Sequence, residues 1–283
     1  MELLRALAVL AEPPTEGTRR VAGVLGLGEL AGADEYTELF VFQLYPYASV
    51  YVGREGMLGG EARDRVGGFW RALGQVPPAE ADHLSVMLAL YARLCELEEE
   101  EGANWRVARR AFLWEHVLSW LPVYLTKVAE IAPPFYQRWG EVLMRAALAE
   151  IEAVGRQGAL PLHLREAGRL IDPRAGEEGA DFWQSLLAPV RSGMILTRAD
   201  LRRAARDLGC GLRMGERKFV LKSLAAQDAE GTFDWLIAEA GLWEKRHRAF
   251  EQALGAVAGF WAAQAEAARG LLAELKQEAA KVV

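Results

Sequence analysis

Cysteine, histidine and asparagine are all scarce in this sequence. Its two cysteines, Cys95 and Cys210, are too far apart in the chain for the close pairing of a structural zinc site, and they provide no disulfide framework. A reducing, cytoplasmic setting fits that usage. The four histidines, His83, His116, His163 and His247, include no close pair with metal-ligand spacing. Asn104 is the only asparagine. β-Branched residues are sparse beside Ala, Leu, Glu and Arg, a balance that disfavours sheets and favours helices. No apolar run is long enough to span a bilayer, so no membrane insertion is expected.

The signatures of catalysis are also missing. Gly23, Gly26 and Gly28 are closely spaced but follow no strand, so they fail the context of a dinucleotide fingerprint. There is no Gly-Lys-Ser/Thr phosphate loop and no serine in a nucleophile elbow. Asp82-His83 reverses the His-Asp order of metal-dependent phosphohydrolases. The expectation is a protein that is not an enzyme and needs no cofactor of its own.

What is present is an ordinary globular composition over 283 residues, enough to bury a core without a metal or disulfide. The net charge of −6 argues against general nucleic-acid binding. One segment, 197–226, runs the other way. Arg198, Arg202, Arg203, Arg206, Arg213, Arg217, Lys218 and Lys222 stand against Asp200, Asp207 and Glu216 in a helix, glycine-containing turn, helix pattern. A DNA-binding regulator is therefore one alternative reading, and an acidic protein surface is another partner for the same patch.

Apolar periodicity and punctuation place the elements. Short helices are expected over 2–12, 18–30 and 34–44, then one after Gly59-Gly60 carrying Val66, Phe69, Trp70 and Leu73. Leu84, Met87, Leu88, Tyr91 and Cys95 mark an amphipathic helix that the acidic run 98–101 ends. Asn104 is a candidate cap for the next helix, whose two apolar faces, Val107, Ala111, Trp114 and Leu118 on one and Phe112, His116 and Trp120 on the other, predict burial on most sides. Pro122 and Pro133-Pro134 open two more. Thr197 and Asp200 have capping-box spacing. Trp243, His247, Phe250, Leu254, Val257, Trp261, Ala268, Leu271 and Leu275 form one seam in an almost continuously helical tail, packing on the chain itself or on a second copy. The domain expectation is a helical core over 1–157, a linker or irregular segment over 158–195, and a C-terminal helical region over 196–283. Thr18-Arg19-Arg20-Val21 is read as helix surface rather than an export signal, because an acidic amphipathic segment precedes it and glycines break the apolar run.

Three segments together carry a resemblance. Glu38-Leu39-Phe40 leads to Tyr45-Pro46-Tyr47-Ala48-Ser49-Val50-Tyr51. Glu80-Ala81-Asp82-His83-Leu84-Ser85 follows, and then Phe112-Leu113-Trp114-Glu115-His116-Val117-Leu118-Ser119-Trp120-Leu121-Pro122. In this order and spacing, over roughly 35–140, the chain resembles the TorD-type redox-enzyme maturation chaperones, also called the nitrate reductase delta subunit family; Ala81 stands where that family usually has proline. The resemblance implies an all-α helical bundle, here with an extra C-terminal helical region. It implies a cytoplasmic assembly chaperone, monomeric or homodimeric, whose partners are the apo catalytic subunit of a molybdenum-cofactor oxidoreductase and its twin-arginine leader peptide. No nucleic acid is expected on this reading; a delta-type subunit retained on the finished enzyme is a further alternative. A receptor for such a leader needs aromatic walls and carboxylates. Trp70, Trp120 and Tyr124 are candidate walls, with Pro122 shaping them. Asp82 is a candidate arginine partner, and His83 and His116 candidate peptide contacts.

Overall fold

Helix boundaries follow the caps written in the sequence. Thr15 and Thr18 form a reciprocal box at the start of the Glu16–Val24 helix. Thr197 accepts from the Asp200 N–H while Asp200 accepts from both the Thr197 N–H and hydroxyl, as the spacing predicts. Proline occupies the first turn of Leu121–Ile131 and of Pro134–Val154. Asn104 is different: Ala103 occupies the capping position and Asn104 enters the first turn of Asn104–Phe112, with no side-chain cap. The computed structural model describes residues 1–175 and 181–282. Among them the regular structure is helical throughout, apart from one isolated antiparallel bridge between Tyr47 and His83. No helix among these residues is long and apolar enough to cross a membrane.

The described residues fall into two compact units, Met1–Val50 with Leu58–His163, and Tyr51–Met57 with Leu164–Val283. In the first, the Leu84–Glu101 helix is buried along most of its length, from Leu84, Met87 and Leu88 to Tyr91, Leu94 and Cys95, and packs against Glu2–Val9 and Asn104–Phe112. Burial pushes the Cys95 thiol up to about 12, so it is a core residue and no nucleophile. Arg109 joins Glu98 and Glu150 at one end of this packing, and Tyr91 donates to Glu150 at 2.7 Å. The Pro134–Val154 helix holds the N-terminal segments: Trp139 Nε1 donates to the Leu7 carbonyl (2.9 Å) and Arg138 Nε to that of Leu27 (2.7 Å).

Two stretches wind more loosely than an α-helix. Thr37–Gln43 and Leu113–Val117 are π-helical, closed by Leu44 N–H to Leu39 C=O and Leu118 N–H to Leu113 C=O, each 2.7 Å. Such turns insert a residue without breaking the helix and so shift the faces that follow.

In the second unit the almost continuously helical tail folds as a hairpin. Ala229–Arg248 and Ala256–Val282 run antiparallel, bent through residues 249–255, where Gly255 has φ +53°. Lys276 meets Asp234 and Arg269 meets Glu244 across it. Trp243, His247, Leu254, Val257, Trp261 and Ala268 are buried on the hairpin's own seam, whereas Leu272 takes the buried place expected for Leu271, a drift the 3.6-residue turn imposes on a strict heptad. Of the segment 158–195 expected as a linker, residues 176–180 lie outside the described residues. Residues 158–163 belong to the first unit, and the stretch from Leu164 on contributes buried Leu164, Ala167, Leu186, Val190 and Met194 to the second.

Gly193 marks a close approach there. It ends Pro189–Ser192 in the left-handed region (φ +69°), its carbonyl accepts from His247 Nε2 at 2.8 Å, and a Cβ added to it would lie 2.3 Å from the Ala265 nitrogen. Both the backbone angle and the space exclude a side chain. Gly193→Ala is expected to destabilise the second unit by well over about 1 kcal/mol, read as a lowered urea midpoint by tryptophan fluorescence.

Candidate functional site

Two loops cross in the first unit, and the crossing places the Asp-His pair. Proline at 46 lacks an N–H, and the Tyr47 N–H folds back onto the Tyr45 carbonyl (2.9 Å). The Ala48 N–H then donates to the Asp82 carbonyl (3.0 Å), and the Leu84 N–H to that of Pro46 (2.8 Å). Asp82 is 1 % exposed, and its Oδ2 accepts the Ser49 N–H at 3.0 Å. It thus satisfies the start of the Ala48–Val52 helix rather than that of its own helix. Ser49 Oγ in turn accepts from the Gly59 N–H (3.0 Å).

His83, not Asp82, occupies the cap of Leu84–Glu101. Its Nδ1 lies 2.6 Å from Ser85 Oγ and 3.4 Å from a Glu12 carboxylate oxygen, and the Ser85 hydroxyl donates to that same oxygen. Burial lowers the His83 pKa, and the negative charges of Glu12, Glu80 and Asp82 oppose the shift. The Tyr47 ring meets His83 edge-on at 4.7 Å while its hydroxyl donates to Glu80 at 2.9 Å. Burial, then Glu12 and Glu80, push the Tyr36 phenol up to about 12. The result is a rim of two exposed carboxylates, Glu12 and Glu80, beside the half-buried rings of Tyr36 and Tyr47, over a floor of His83 and Asp82.

The other expected residues gather elsewhere in the same unit. Trp120 and Tyr124 are fully buried with rings 5.4 Å apart, and Trp120 Nε1 donates to the His116 carbonyl (2.8 Å). Pro122 is buried in the first turn that follows. The rings of Trp120 and Tyr124 therefore have no solvent face to serve as walls. His116 packs against Phe112 (5.3 Å), Phe69 (5.8 Å) and His163 (5.6 Å). Burial, then His163 and Arg65, lower its pKa to about 3, and its Nδ1 is buried without a hydrogen bond. Trp70, next to Phe69 on the Gly60–Ala72 helix, is half-buried, with its indole nitrogen also lacking a bond. None of the seven expected residues lines the shallow, mostly apolar groove of about 380 Å³ bounded by Leu125, Ala129, Gly140, Glu141, Met144 and Arg145.

Glu12, Tyr36 and Ser85 complete the crossing and were not anticipated as site residues. Tyr47 and Glu80 belong to segments that carry the resemblance, but nothing in the sequence marks Glu12, which the first helix delivers from far away in the chain. Among the described residues no group of three or more His, Cys, Asp and Glu side chains could hold a metal ion.

The loop crossing, its Asp-His pair and the π-helical turn before Trp120 all lie within the stretch 18–125 that matches the family described as nitrate reductase delta subunit. Over residues 18–125 the chain is similar to that family. Chaperone protein TorD of Vibrio vulnificus (strain YJ016) is 33% identical over 94 residues, 30% of this chain and 44% of that protein. Chaperone protein TorD of Shewanella amazonensis (strain ATCC BAA-1098 / SB2B) is 29% identical over 136 residues, 39% of this chain and 55% of that protein. The chain spans about half the length of the curated relatives it matches. No solved structure matches it.

Two outcomes follow from this geometry. Asp82→Ala leaves the buried Ser49 N–H without an acceptor and is expected to cost about 1–3 kcal/mol in denaturant unfolding. His116 is neutral when folded and takes up a proton near pH 6.5 when unfolded, so the unfolded state binds more protons between about pH 6.5 and 3. Stability therefore falls as pH drops through that window, by up to about 1.4 kcal/mol per pH unit from this group. Denaturant midpoints measured across pH should show a shallower fall for His116→Gln.

Proposed function

We propose that this chain is a cytoplasmic, non-catalytic maturation chaperone that holds the apo catalytic subunit of a molybdenum-cofactor oxidoreductase, through its twin-arginine leader, until the cofactor is in place. The match over residues 18–125 and the relatives named TorD support the chaperone class. The observation that carries leader recognition is the pairing of Glu12 and Glu80 carboxylates with the Tyr36 and Tyr47 rings at one exposed corner. A guanidinium accepts a carboxylate in a two-pronged geometry that an ammonium cannot copy, and it stacks on aromatic faces. Neutral His83 adds no repelling charge to such a ligand. Asp82 acts by holding the two loops together, and His83 by presenting its ring beneath them. Trp70, His116, Trp120, Pro122 and Tyr124 set the frame on which the crossing sits.

The mechanism is competition. Client surface held on the chaperone meets neither the export machinery nor its own folding partners, and no bond is made or broken. Release requires that the cofactor-loaded client bind less tightly, since only a difference in affinity between client states can time it.

Calorimetric titration of the full chain with the leader of the molybdoenzyme encoded nearest to it tests this reading. A copy with both leader arginines changed to lysine is the control. Micromolar or tighter binding is expected, weakened at least tenfold by the lysine copy and by Glu12→Gln with Glu80→Gln, both surface changes. Absence of heat with either peptide, from a chain of unchanged helical content, rejects leader recognition.

A further inference from the structure

The second unit carries a charge imbalance that the chaperone reading does not use. Residues 197–226 hold eight cations and three acids within a chain of net charge −6. Several of those cations are already engaged. Arg203 joins Asp200 (3.1 Å) and Glu239 (2.9 Å) and lies over the Trp235 ring; Arg206 meets Asp207 and Lys218 meets Asp181. Arg202 and Arg213 are exposed and make no ion pair among the described residues.

The segment is not the tight turn of a DNA-reading helix pair. Arg198–Asp207 and Arg217–Gln227 are joined by residues 208–216, longer than the 3–4-residue turn that motif uses. That connection is pinned at two points. The Gln227 side-chain amide accepts from the Gly211 N–H (2.8 Å) and donates to the Gly211 carbonyl (3.0 Å), and Arg198 donates to the Gly215 carbonyl (3.0 Å). Between the pins, Leu212 is 43 % and Met214 88 % exposed. Phe219, 50 % exposed, lies close enough to Gly215 that an added Cβ would be 2.7 Å from its ring. Hydrogen bonds thus fix a loop that holds apolar side chains out in water, next to the unpaired Arg213.

Chemistry narrows what covers such a tip. A methionine with 88 % of its surface exposed projects from the protein, so a rigid partner would need a pocket shaped to it. The headgroup layer of a bilayer accepts projecting Leu, Met and Phe without one, and anionic headgroups complement the arginine between them. Nucleic acid would match the charge and leave the apolar tip unburied. We infer that the 211–219 tip is a peripheral docking surface for an anionic lipid bilayer. Leu212, Met214 and Phe219 enter the headgroup–acyl boundary, and Arg213 meets lipid phosphates. The contact is interfacial, spans nothing, and does not depend on the leader-binding reading.

Co-sedimentation of the full chain with vesicles tests it, using phosphatidylcholine alone and phosphatidylcholine mixed with phosphatidylglycerol. Binding is expected only to the mixed vesicles and should weaken as salt rises. Arg213→Ala should lower the partition coefficient about fivefold and Met214→Ser severalfold. Both side chains are exposed, so an unchanged helical circular-dichroism signal separates loss of binding from loss of fold. No sedimentation with anionic vesicles at low salt overturns the inference, as does binding that both variants leave intact. Binding to duplex DNA that falls with Arg213→Ala but not with Met214→Ser would reassign the tip to nucleic acid and overturn it equally.

Discussion

The buried carboxylate of Asp82 is the constraint on which the candidate site hangs. Burying a carboxylate to 1 % exposure is costly without a hydrogen-bond partner, and the Ser49 N–H supplies one to Oδ2 from a segment more than thirty residues earlier in the chain. The backbone pairs on either side, Ala48 to Asp82 and Leu84 to Pro46, then have one register. With that register set, Tyr47 must lie on His83, and its hydroxyl reaches Glu80. His83 is left to cap the helix whose buried face forms the centre of the first unit. One hydrogen bond thus links the core of the unit to the chemistry of its rim.

His83 keeps that rim acidic in a controlled way. Three carboxylates favour its protonation and burial opposes it, burial being the larger effect. A charged imidazolium would partly neutralise Glu12 and Glu80; a neutral ring leaves their field available to a cation arriving from outside. The two phenols beside it are held well above their ordinary pKa by burial and the same carboxylates, so they stay hydrogen-bond donors.

Much of this was legible in the residues. The prolines that open helices, the Thr197–Asp200 box and the buried faces after Leu84 and around Trp114 are local, and local chemistry can be read without a fold. The helical class and the three family segments were legible for the same reason. What escaped reading depends on winding or on distance. Nothing in Thr37–Gln43 or Leu113–Val117 announces a π-turn, yet such a turn precedes Trp120, whose ring is wholly interior. Asn104 has the composition of a cap, but the chain turns one residue earlier at Ala103. Glu12 reaches Ser85 only because the first helix packs on the Leu84–Glu101 helix. The tail's seam was legible as one apolar stripe, but the bend at 249–255 that folds it into a hairpin was not.

The path of the chain between the units also bears on the order in which the protein can be made. Tyr51–Met57 belongs to the second unit, although it is synthesised long before the rest of it. The carbonyls of Arg54 and Glu55 accept from Arg191 and Gln184, and Gly56 lies against Ala188, so close that a Cβ there would be 2.8 Å from its Cα. None of those partners exists while the ribosome is still translating the first unit. The strap must wait, tethered one residue beyond Val50 and just ahead of the Gly59 N–H that Ser49 accepts. A nascent or truncated chain ending near residue 163 thus carries the matching segments with an unanchored strap beside them.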